Sequence, residues 1–324
     1  MHDKNSPRSN PAASPEHGVV ISVPVLLGPT AVGKSAVALE LAVASGWEII
    51  SCDSRQLYRG MDIGTAKPSL QERAAVAHHL IDILDPSEEY SAGRFADDAL
   101  AIIRERAGAG KTTLICGGTG LYFRALQQGQ SNGQPSDPAI REELTRRARE
   151  QGSETLHREL AAVDAATAAR LHPNDAQRII RALALFRQTG KPLSDHPQEG
   201  TPPEGIRFIV VKLTLDRAQL YDLINRRVDA MVHSGLYEEF LQLRAAGYDR
   251  LSPGLQSVGY REFFGVEDDI MKHSDAVELI KRNSRRYAKR QITWFSHQVE
   301  GAEVDAADTG AAMERAGEFF GRER

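Results

Sequence analysis

The chain lacks the features that mark secreted or membrane-spanning proteins. Only two of its 324 residues are cysteines, Cys52 and Cys116. They are far apart and each stands beside an apolar run, which favours buried reduced thiols over a disulfide or a zinc pair. No run of about eighteen apolar residues occurs, so we expect no membrane span. Residues 1–18 are polar, lack the apolar segment of a signal peptide and predict a disordered tail. These absences favour a cytoplasmic protein.

An excess of positive charge is also missing. Lysine and arginine number 40 against 44 aspartate and glutamate residues, which gives a net charge of −4. This average alone argues weakly against a nucleic-acid partner. Phosphate backbone is bound by local basic patches, however, and one such patch stands late in the chain. The remaining composition, 41% hydrophobic and 26% charged, is that of a globular protein with one large or two small domains.

Four apolar, β-branched segments predict strands, at residues 19–27, 47–52, 112–116 and 207–215. Helical periodicity separates them, so we predict an α/β fold with a parallel sheet flanked by helices. Two connectors rich in Gly, Pro, Ser or Gln bound a stretch of helical periodicity alone, which predicts a small all-helical insertion domain. The predicted division is a core of residues 19–130 and 201–300 with a helical C-terminal part, an insertion of residues 131–200, and a weakly patterned end, 301–324.

The first predicted strand runs into a glycine-rich turn that matches G-x-x-x-x-G-K-[ST]. Glycines let backbone N–H groups curl around phosphate oxygens, while Lys34 adds a point charge and the Ser35 hydroxyl can bind magnesium. The turn precedes a predicted helix, as the motif requires. It indicates a phosphate site for a nucleotide, a diphosphate ester or a phosphorylated substrate. The loop consists of Gly28, Pro29, Thr30, Ala31, Val32, Gly33, Lys34 and Ser35.

Polar residues follow the next two predicted strands. Asp53 can act as a base or bind metal-bound water at the carboxyl edge of the sheet, although a helix cap is an equally good reading. Residues 117–120, Gly-Gly-Thr-Gly, predict a tight backbone approach in the same crevice with Thr119 as a hydrogen-bonding hydroxyl, or else a plain turn. The strand before them ends in Cys116, so the metal-binding acid of an ATPase is missing there, which weakens a motor or switch interpretation.

Eight ordered motifs together resemble the bacterial tRNA dimethylallyltransferases, also called isopentenyl-diphosphate:tRNA transferases. The resemblance covers residues 20–295. After the phosphate loop come DSRQLY at 53–58, DIGTAKP at 62–68, HLID at 79–82, GGTGLY at 117–122, NDAQRIIRAL at 174–183, VGYRE at 258–262 and RYAKRQITWF at 286–295. The chain departs from the family at residues 255–257, Leu-Gln-Ser, and has no Cys/His finger after the core.

The resemblance implies a P-loop NTPase-like core and a reaction. The family moves a dimethylallyl group from dimethylallyl diphosphate to N6 of adenine 37, beside the tRNA anticodon. Asp53 then corresponds to the general base and Thr119 orients the amine or a diphosphate oxygen. Arg227, with Arg226 as the alternative, is expected to stabilise the departing diphosphate together with Lys34 and magnesium.

The partner implied is the anticodon stem-loop of tRNA. A predicted helix from Asn174 as its N-cap to a stop at Gly190 brings Gln177, Arg178 and Arg181 onto one face. The residues expected to contact tRNA are Asp53, Ser54, Arg55, Gln56, Thr119, Arg141, Gln177, Arg178, Ile179, Ile180, Arg181, Gly259, Tyr260, Arg261, Arg286 and Arg290.

A second tRNA-binding element is predicted as one helix over residues 274–295. One half of its surface is basic, without an acid between Lys281 and Arg290, which favours phosphate binding over a solvated face. The basic residues are Lys281, Arg282, Arg285, Arg286, Lys289 and Arg290. The other half, Val277, Ile280, Tyr287, Trp294 and Phe295, is expected to pack on the core.

Two other functions fit parts of the pattern. An ATP-dependent small-molecule or nucleotide kinase accounts for the phosphate loop and Asp53, but leaves the arginine-rich helices unexplained. A non-catalytic nucleotide-binding module leaves Asp53 and Thr119 without a role. We expect a monomer that binds dimethylallyl diphosphate, magnesium and tRNA.

Overall fold

The computed structural model describes residues 20–129, 137–196 and 200–323, so the predicted tail 1–18 lies outside them. The strands are β1 Ile21–Leu27, β2 Glu48–Cys52, β3 His78–His79, β4 Thr113–Gly117, β5 Ile206–Thr214 and β6 Ala302–Asp305. The helices are α1 Lys34–Ser45, α2 Leu70–Ala75, α3 Ala92–Gly108, α4 Gly120–Gln128, α5 Pro138–Gln151, α6 Ser153–Val163, α7 Ala165–Arg170, α8 Ala176–Thr189, α9 Arg217–His233, α10 Leu236–Ala245, α11 Phe264–Glu267, α12 His273–Gln298 and α13 Thr309–Arg322, with a short 3₁₀ turn at Leu193–Asp195.

The six strands form one parallel sheet in the order β3-β2-β4-β1-β5-β6, which confirms the predicted fold. The alternating side chains of β1 enter two different cores. Val25 and Leu27 belong to one hydrophobic cluster and Leu26 to the other, so β1 is buried on both faces as a central parallel strand must be. Gly117 pairs with both Leu27 and Cys52. The loops after β1, β2 and β4 therefore start side by side.

The C-terminal segment, whose structure was not predicted, completes the sheet. Strand β6 pairs with β5, and α13 returns to pack against α1. Phe320 on α13 is fully buried, with its ring centroid 6.0 Å from that of Trp47. The short strand β3 was also not predicted, because two residues are too few to show a period. Cys52 and Cys116 are buried and unpaired.

Helices α5 to α8 share a hydrophobic cluster of their own, which includes Leu144, Leu160 and Leu183. The predicted N-cap of α8 is wrong by one residue, because Asp175 rather than Asn174 accepts the hydrogen bond from the Arg178 N–H, at 3.3 Å. The predicted stop at Gly190 is confirmed by its φ of 69°. No helix among the described residues is long and apolar enough to cross a membrane.

Candidate active site

The loops at the carboxyl edge of the sheet enclose one cavity of about 760 Å³ with residues from α9 and α12. Much of its wall was predicted from the sequence. The predicted residues that line it are Thr30, Ala31, Gly33, Lys34, Ser35, Asp53, Ser54, Arg55, Gln56, Arg226, Arg227, Gly259, Arg261 and Arg290. The structure therefore brings the phosphate loop, the β2 loop and basic residues from two late helices together.

The phosphate loop has the backbone geometry of an anion site. Gly33 has φ 92° and gives α1 no side-chain cap, so the first N–H groups of this helix remain available to a ligand. At the other end of the loop, a Cβ on Gly28 would lie 2.8 Å from the Leu213 carbonyl oxygen of β5. Glycine is therefore required at the two positions for different reasons: a left-handed backbone conformation at Gly33 and close packing against a neighbouring strand at Gly28.

Lys34 is the buried cation of this loop. Its Nζ donates to the Pro29 carbonyl oxygen at 2.7 Å, and burial lowers the pKa of Lys34 to about 8. The neighbouring Arg227 also lowers this pKa, whereas Cys116 and Asp53 raise it. An ammonium group that has lost its water gains more from an incoming anion than an exposed one does. Lys34 is therefore prepared for a phosphate group.

Of the two candidate arginines, the structure favours Arg227. Its Nη2 donates to the Thr30 hydroxyl at 2.6 Å, while its buried Nε has no hydrogen-bond partner among the described residues. Burial lowers the pKa of this guanidinium. Arg226, by contrast, pairs with Asp222 at 2.6 Å, and its side chain is 74% exposed. A buried donor without a partner indicates a place for a ligand oxygen.

Asp53 caps no helix, because none of the described helices begins directly after β2. One carboxylate oxygen, Oδ1, accepts the backbone N–H of Arg55 at 2.8 Å, which fixes the local turn. The other oxygen accepts no hydrogen bond from the described residues. Thr119 lies close by, since its Oγ1 accepts the Ser54 N–H at 3.0 Å and its own N–H donates to the Cys52 carbonyl at 3.1 Å. The loops after β2 and β4 are thus tied together.

The sequence reasoning missed the contribution of α12 to the crevice. Tyr287, predicted to pack on the core, instead lines the cavity. Burial raises the pKa of Tyr287 to about 12, so its hydroxyl stays protonated. Val277, Ile280, Trp294 and Phe295 do pack against the hydrophobic core. A tyrosine in a basic helix was the available signal, but periodicity cannot tell a core from a crevice.

The glycines after β4 also differ from expectation, because they admit α12. A Cβ on Gly118 would lie 2.5 Å from Nε2 of Gln291, and one on Gly120 would lie 2.2 Å from the Trp294 ring. The tight approach predicted here is therefore made by two side chains of α12. Thr119 stands between these glycines, so the docking of α12 sets its position.

The predicted tRNA contacts fall into exposed and buried groups. Gln177, Arg178 and Arg181 are exposed on α8, whereas Arg141 forms a two-pronged ion pair with Glu89. The side chains of Ile179, Ile180 and Tyr260 are buried, so the predicted contact of these residues with tRNA would involve their backbone and stays a prediction. Both isoleucines pack among the insertion helices, and the Tyr260 hydroxyl donates to Glu239 at 2.5 Å.

The basic side of α12 is smaller than its sequence indicates. Arg282, Arg286, Lys289 and Arg290 are exposed, and we call these four residues the basic stripe. Lys281 pairs with Asp229 at 2.7 Å and Glu278 at 2.9 Å, while Arg285 donates to Asn225 at 2.5 Å. The partners on α9 explain the difference, because the sequence of one helix cannot show acids that a neighbouring helix supplies.

The oxygen donors of the crevice fit a magnesium ion that binds together with a diphosphate. Ser35 and Asp53 line the same cavity and offer a hydroxyl and a carboxylate. Magnesium in proteins is commonly held by one or two such groups, by substrate phosphates and by water. Among the described residues, no group of three or more His, Cys, Asp or Glu could hold a metal unaided. A magnesium ion in this crevice would therefore take its other ligands from a substrate or from water.

A parallel sheet whose first strand leads into a phosphate loop, beside a carboxylate and a buried arginine, is typical of α/β enzymes with a P-loop-like fold that bind phosphorylated ligands. Two family models match the chain, one described as IPP transferase over residues 56–298 and one described as isopentenyl transferase over residues 21–83. The chain belongs to the IPP transferase family. This confirms the resemblance seen in the eight sequence motifs.

Similar proteins agree with this assignment along nearly the whole chain. A tRNA dimethylallyltransferase of Geobacter metallireducens is 47% identical over 277 residues, which are 85% of this chain and 90% of the relative. The crystal structure of the full-length tRNA isopentenylpyrophosphate transferase of Bacillus halodurans is 38% identical, with TM-score 0.69. The match covers 94% of this chain and 96% of the Bacillus chain. The crystal structure of a eukaryotic dimethylallyltransferase acting on tRNA is 27% identical, with TM-score 0.76. The match covers 94% of this chain and 80% of the eukaryotic chain.

Proposed function

We propose that the chain transfers the dimethylallyl group of dimethylallyl diphosphate to N6 of adenine 37 in tRNA and releases diphosphate. The observation that carries the proposal is the convergence of Lys34 and the Arg227–Thr30 pair with the free oxygen of Asp53 on one cavity. Cations for a diphosphate and a base for an amine are the two requirements of this reaction. The names of the relatives support the transfer of a dimethylallyl group to tRNA.

The acceptor side of the reaction needs a base. The lone pair of the adenine amine is delocalised into the ring, so N6 must lose a proton as its bond to the allylic carbon forms. We assign that proton to the free Oδ2 of Asp53, and the orientation of the amine to Thr119, whose hydroxyl is held by the Ser54 N–H. The adenine has to leave the stack of the anticodon loop to reach this crevice.

The donor side of the reaction needs positive charge. The bond between the allylic carbon and the bridging oxygen breaks as the new C–N bond forms, and negative charge grows on the diphosphate. Lys34, the loop N–H groups and Arg227 are placed to stabilise that charge. When bound at Ser35, magnesium would neutralise further diphosphate charge.

The tRNA side of the proposal rests on exposed basic residues. Arg178 and Arg181 on α8 and the basic stripe of α12 are available to phosphate backbone, whereas Lys281 and Arg285 are engaged within the protein. We therefore assign the insertion of residues 131–200 to binding of the anticodon stem-loop. A monomeric state and a cytoplasmic location remain predictions.

The proposal is tested by giving the full chain tRNA and labelled dimethylallyl diphosphate in one reaction and ATP with a panel of metabolites in another. We expect label in tRNA in the first reaction, its loss in excess chelator, and no consumption of ATP in the second. ATP-dependent phosphorylation of a metabolite without transfer of label to tRNA would favour the kinase alternative and contradict the proposal.

A further inference from the structure

Gln291, on α12, connects two loops of the crevice with a single buried amide. Its Nε2 donates to the Gly118 carbonyl oxygen at 2.7 Å, and its Oε1 accepts the backbone N–H of Thr30 at 2.8 Å. The residue is only 7% exposed. A buried amide that is satisfied at both ends has a strongly determined orientation, because turning it over would place like atoms against each other.

The two loops that the amide joins carry the residues of the proposed chemistry. Thr30 belongs to the phosphate loop after β1, and its hydroxyl receives Arg227. Gly118 precedes Thr119 in the turn after β4. Strands β1 and β4 are neighbours, with Leu27 opposite Gly117, but beyond these residues the sheet no longer fixes the distance between their loops. Gln291 provides that connection outside the sheet.

The local sequence is suited to this side chain. A Cβ at position 118 would approach Nε2 of Gln291 to 2.5 Å, so the amide reaches the Gly118 carbonyl only because residue 118 is glycine. Since Oε1 saturates the Thr30 N–H, that group does not turn toward a phosphate oxygen, and the loop presents its later N–H groups instead. The amide thereby determines which donors face the diphosphate.

We propose that Gln291 is a positioning residue of the transfer site, holding the phosphate loop at Thr30 and the amine-orienting turn at Gly118 in fixed relative positions. The inference rests on the proposed function for its role in transfer. Its role in diphosphate binding stands on the geometry alone. The residue belongs to the same helix as the basic stripe, so α12 both offers a surface to tRNA and sets the geometry of the donor site.

The first test compares Gln291→Met, which removes both hydrogen bonds at similar volume, with Gln298→Met near the exposed end of the same helix. We expect the Gln291 variant to bind inorganic pyrophosphate roughly tenfold more weakly, as for the loss of a buried hydrogen bond. Single-turnover transfer at saturating donor should also slow, whereas tRNA affinity should stay unchanged. The Gln298 variant should match the wild type in all three measurements.

The second test uses Gln291→Glu, whose ionisation reports the two bonds separately. A carboxylate still accepts the Thr30 N–H but repels the Gly118 carbonyl, whereas a protonated carboxyl group restores both contacts. Pyrophosphate affinity relative to the wild type should therefore recover as the pH falls from about 8 to about 6. Other ionisable side chains line the same cavity, among them Lys34, Asp53, Glu72, His78 and Tyr287, so Gln291→Met measured at each pH serves as the control for them.

Equal pyrophosphate affinity in the wild type and a folded Gln291→Met protein would overturn the proposal. Failure of Gln291→Glu to recover pyrophosphate affinity relative to the wild type on acidification would overturn it too, and this comparison decides the matter if the methionine variant does not fold. A wild-type protein that binds pyrophosphate but does not prenylate tRNA would instead refute the proposed function. The binding measurements would still test the positioning role of Gln291.

Discussion

Arg227 donates through Nη2 to the hydroxyl of Thr30 at 2.6 Å, across 197 positions of sequence. The pair fastens α9 to the phosphate loop and leaves the buried Nε of the arginine without a partner among the described residues. A guanidinium held in this way has already lost most of its water. It can therefore stabilise the charge of a departing diphosphate with little further reorganisation.

Replacing Arg227 by glutamine should lower the single-turnover rate of transfer by roughly a hundredfold, because a buried positive charge beside the leaving group is lost. Arg226→Gln is the matched control, since the neighbouring arginine is exposed and paired with Asp222. Its rate should remain close to that of the wild type. Equal decreases of the single-turnover rate in the two variants would show that the burial of Arg227 does not contribute to catalysis.

Donor affinity should depend on pH through Lys34. Burial lowers the pKa of Lys34 to about 8 in the free protein, and a bound diphosphate must raise it, because the anion favours the charged form. Binding therefore takes up a proton above this pKa, and affinity for dimethylallyl diphosphate should fall by about tenfold per pH unit above about pH 8.

Calorimetric titrations of the wild type and Lys34→Met between about pH 7 and about pH 9.5 measure this dependence. The variant should bind more weakly at neutral pH, and its affinity should change little as the pH rises. A wild-type affinity that stays constant over this range would show that Lys34 remains charged and that its burial does not control binding.

The free oxygen of Asp53 predicts a general base. Asp53→Asn keeps an acceptor for the Arg55 N–H, and so the turn, but cannot take the proton from the adenine amine. Its single-turnover rate should fall by roughly a hundredfold or more, with a smaller effect on tRNA affinity. A rate near that of the wild type would reduce Asp53 to its structural role in the turn.

The basic stripe of α12 predicts salt-dependent binding of tRNA. The double variant Arg286→Gln, Arg290→Gln should bind tRNA more weakly. The slope of log affinity against log salt concentration should become shallower by about one to two. The rate at saturating tRNA should change less than the affinity. A matched control removes Arg104 and Lys111, which are equally exposed but lie outside the crevice. Identical salt slopes in the two double variants would refute the assignment.

The sequence predicted those parts of the site that depend on local structure. A phosphate loop is a contiguous motif, and Asp53 and Thr119 follow strands whose carboxyl ends must meet in a parallel sheet. Tyr287 and Gln291 escaped prediction because their roles depend on which loop α12 packs against. The ion pair of Lys281 with Asp229 was not predicted either, because the acid comes from another helix.

For the fold too, elements with a strong local sequence pattern were predicted and weakly patterned ones were missed. Strands with long apolar runs were predicted, whereas β6 was missed because an edge strand of four residues, Ala302–Asp305, buries only Val304. The N-cap at Asp175 was misplaced because Asn174 has nearly the same capping ability, and only the geometry of the turn decides between them.

The most direct measurement of the central claim is the position of the product on tRNA. Unmodified tRNA is incubated with the full chain, dimethylallyl diphosphate and magnesium, then digested with a base-specific nuclease, and the fragments are analysed by mass spectrometry. We predict one added dimethylallyl group, on the adenine beside the anticodon, and its loss with Asp53→Asn. Unmodified fragments, or a prenyl group on another base, would contradict it.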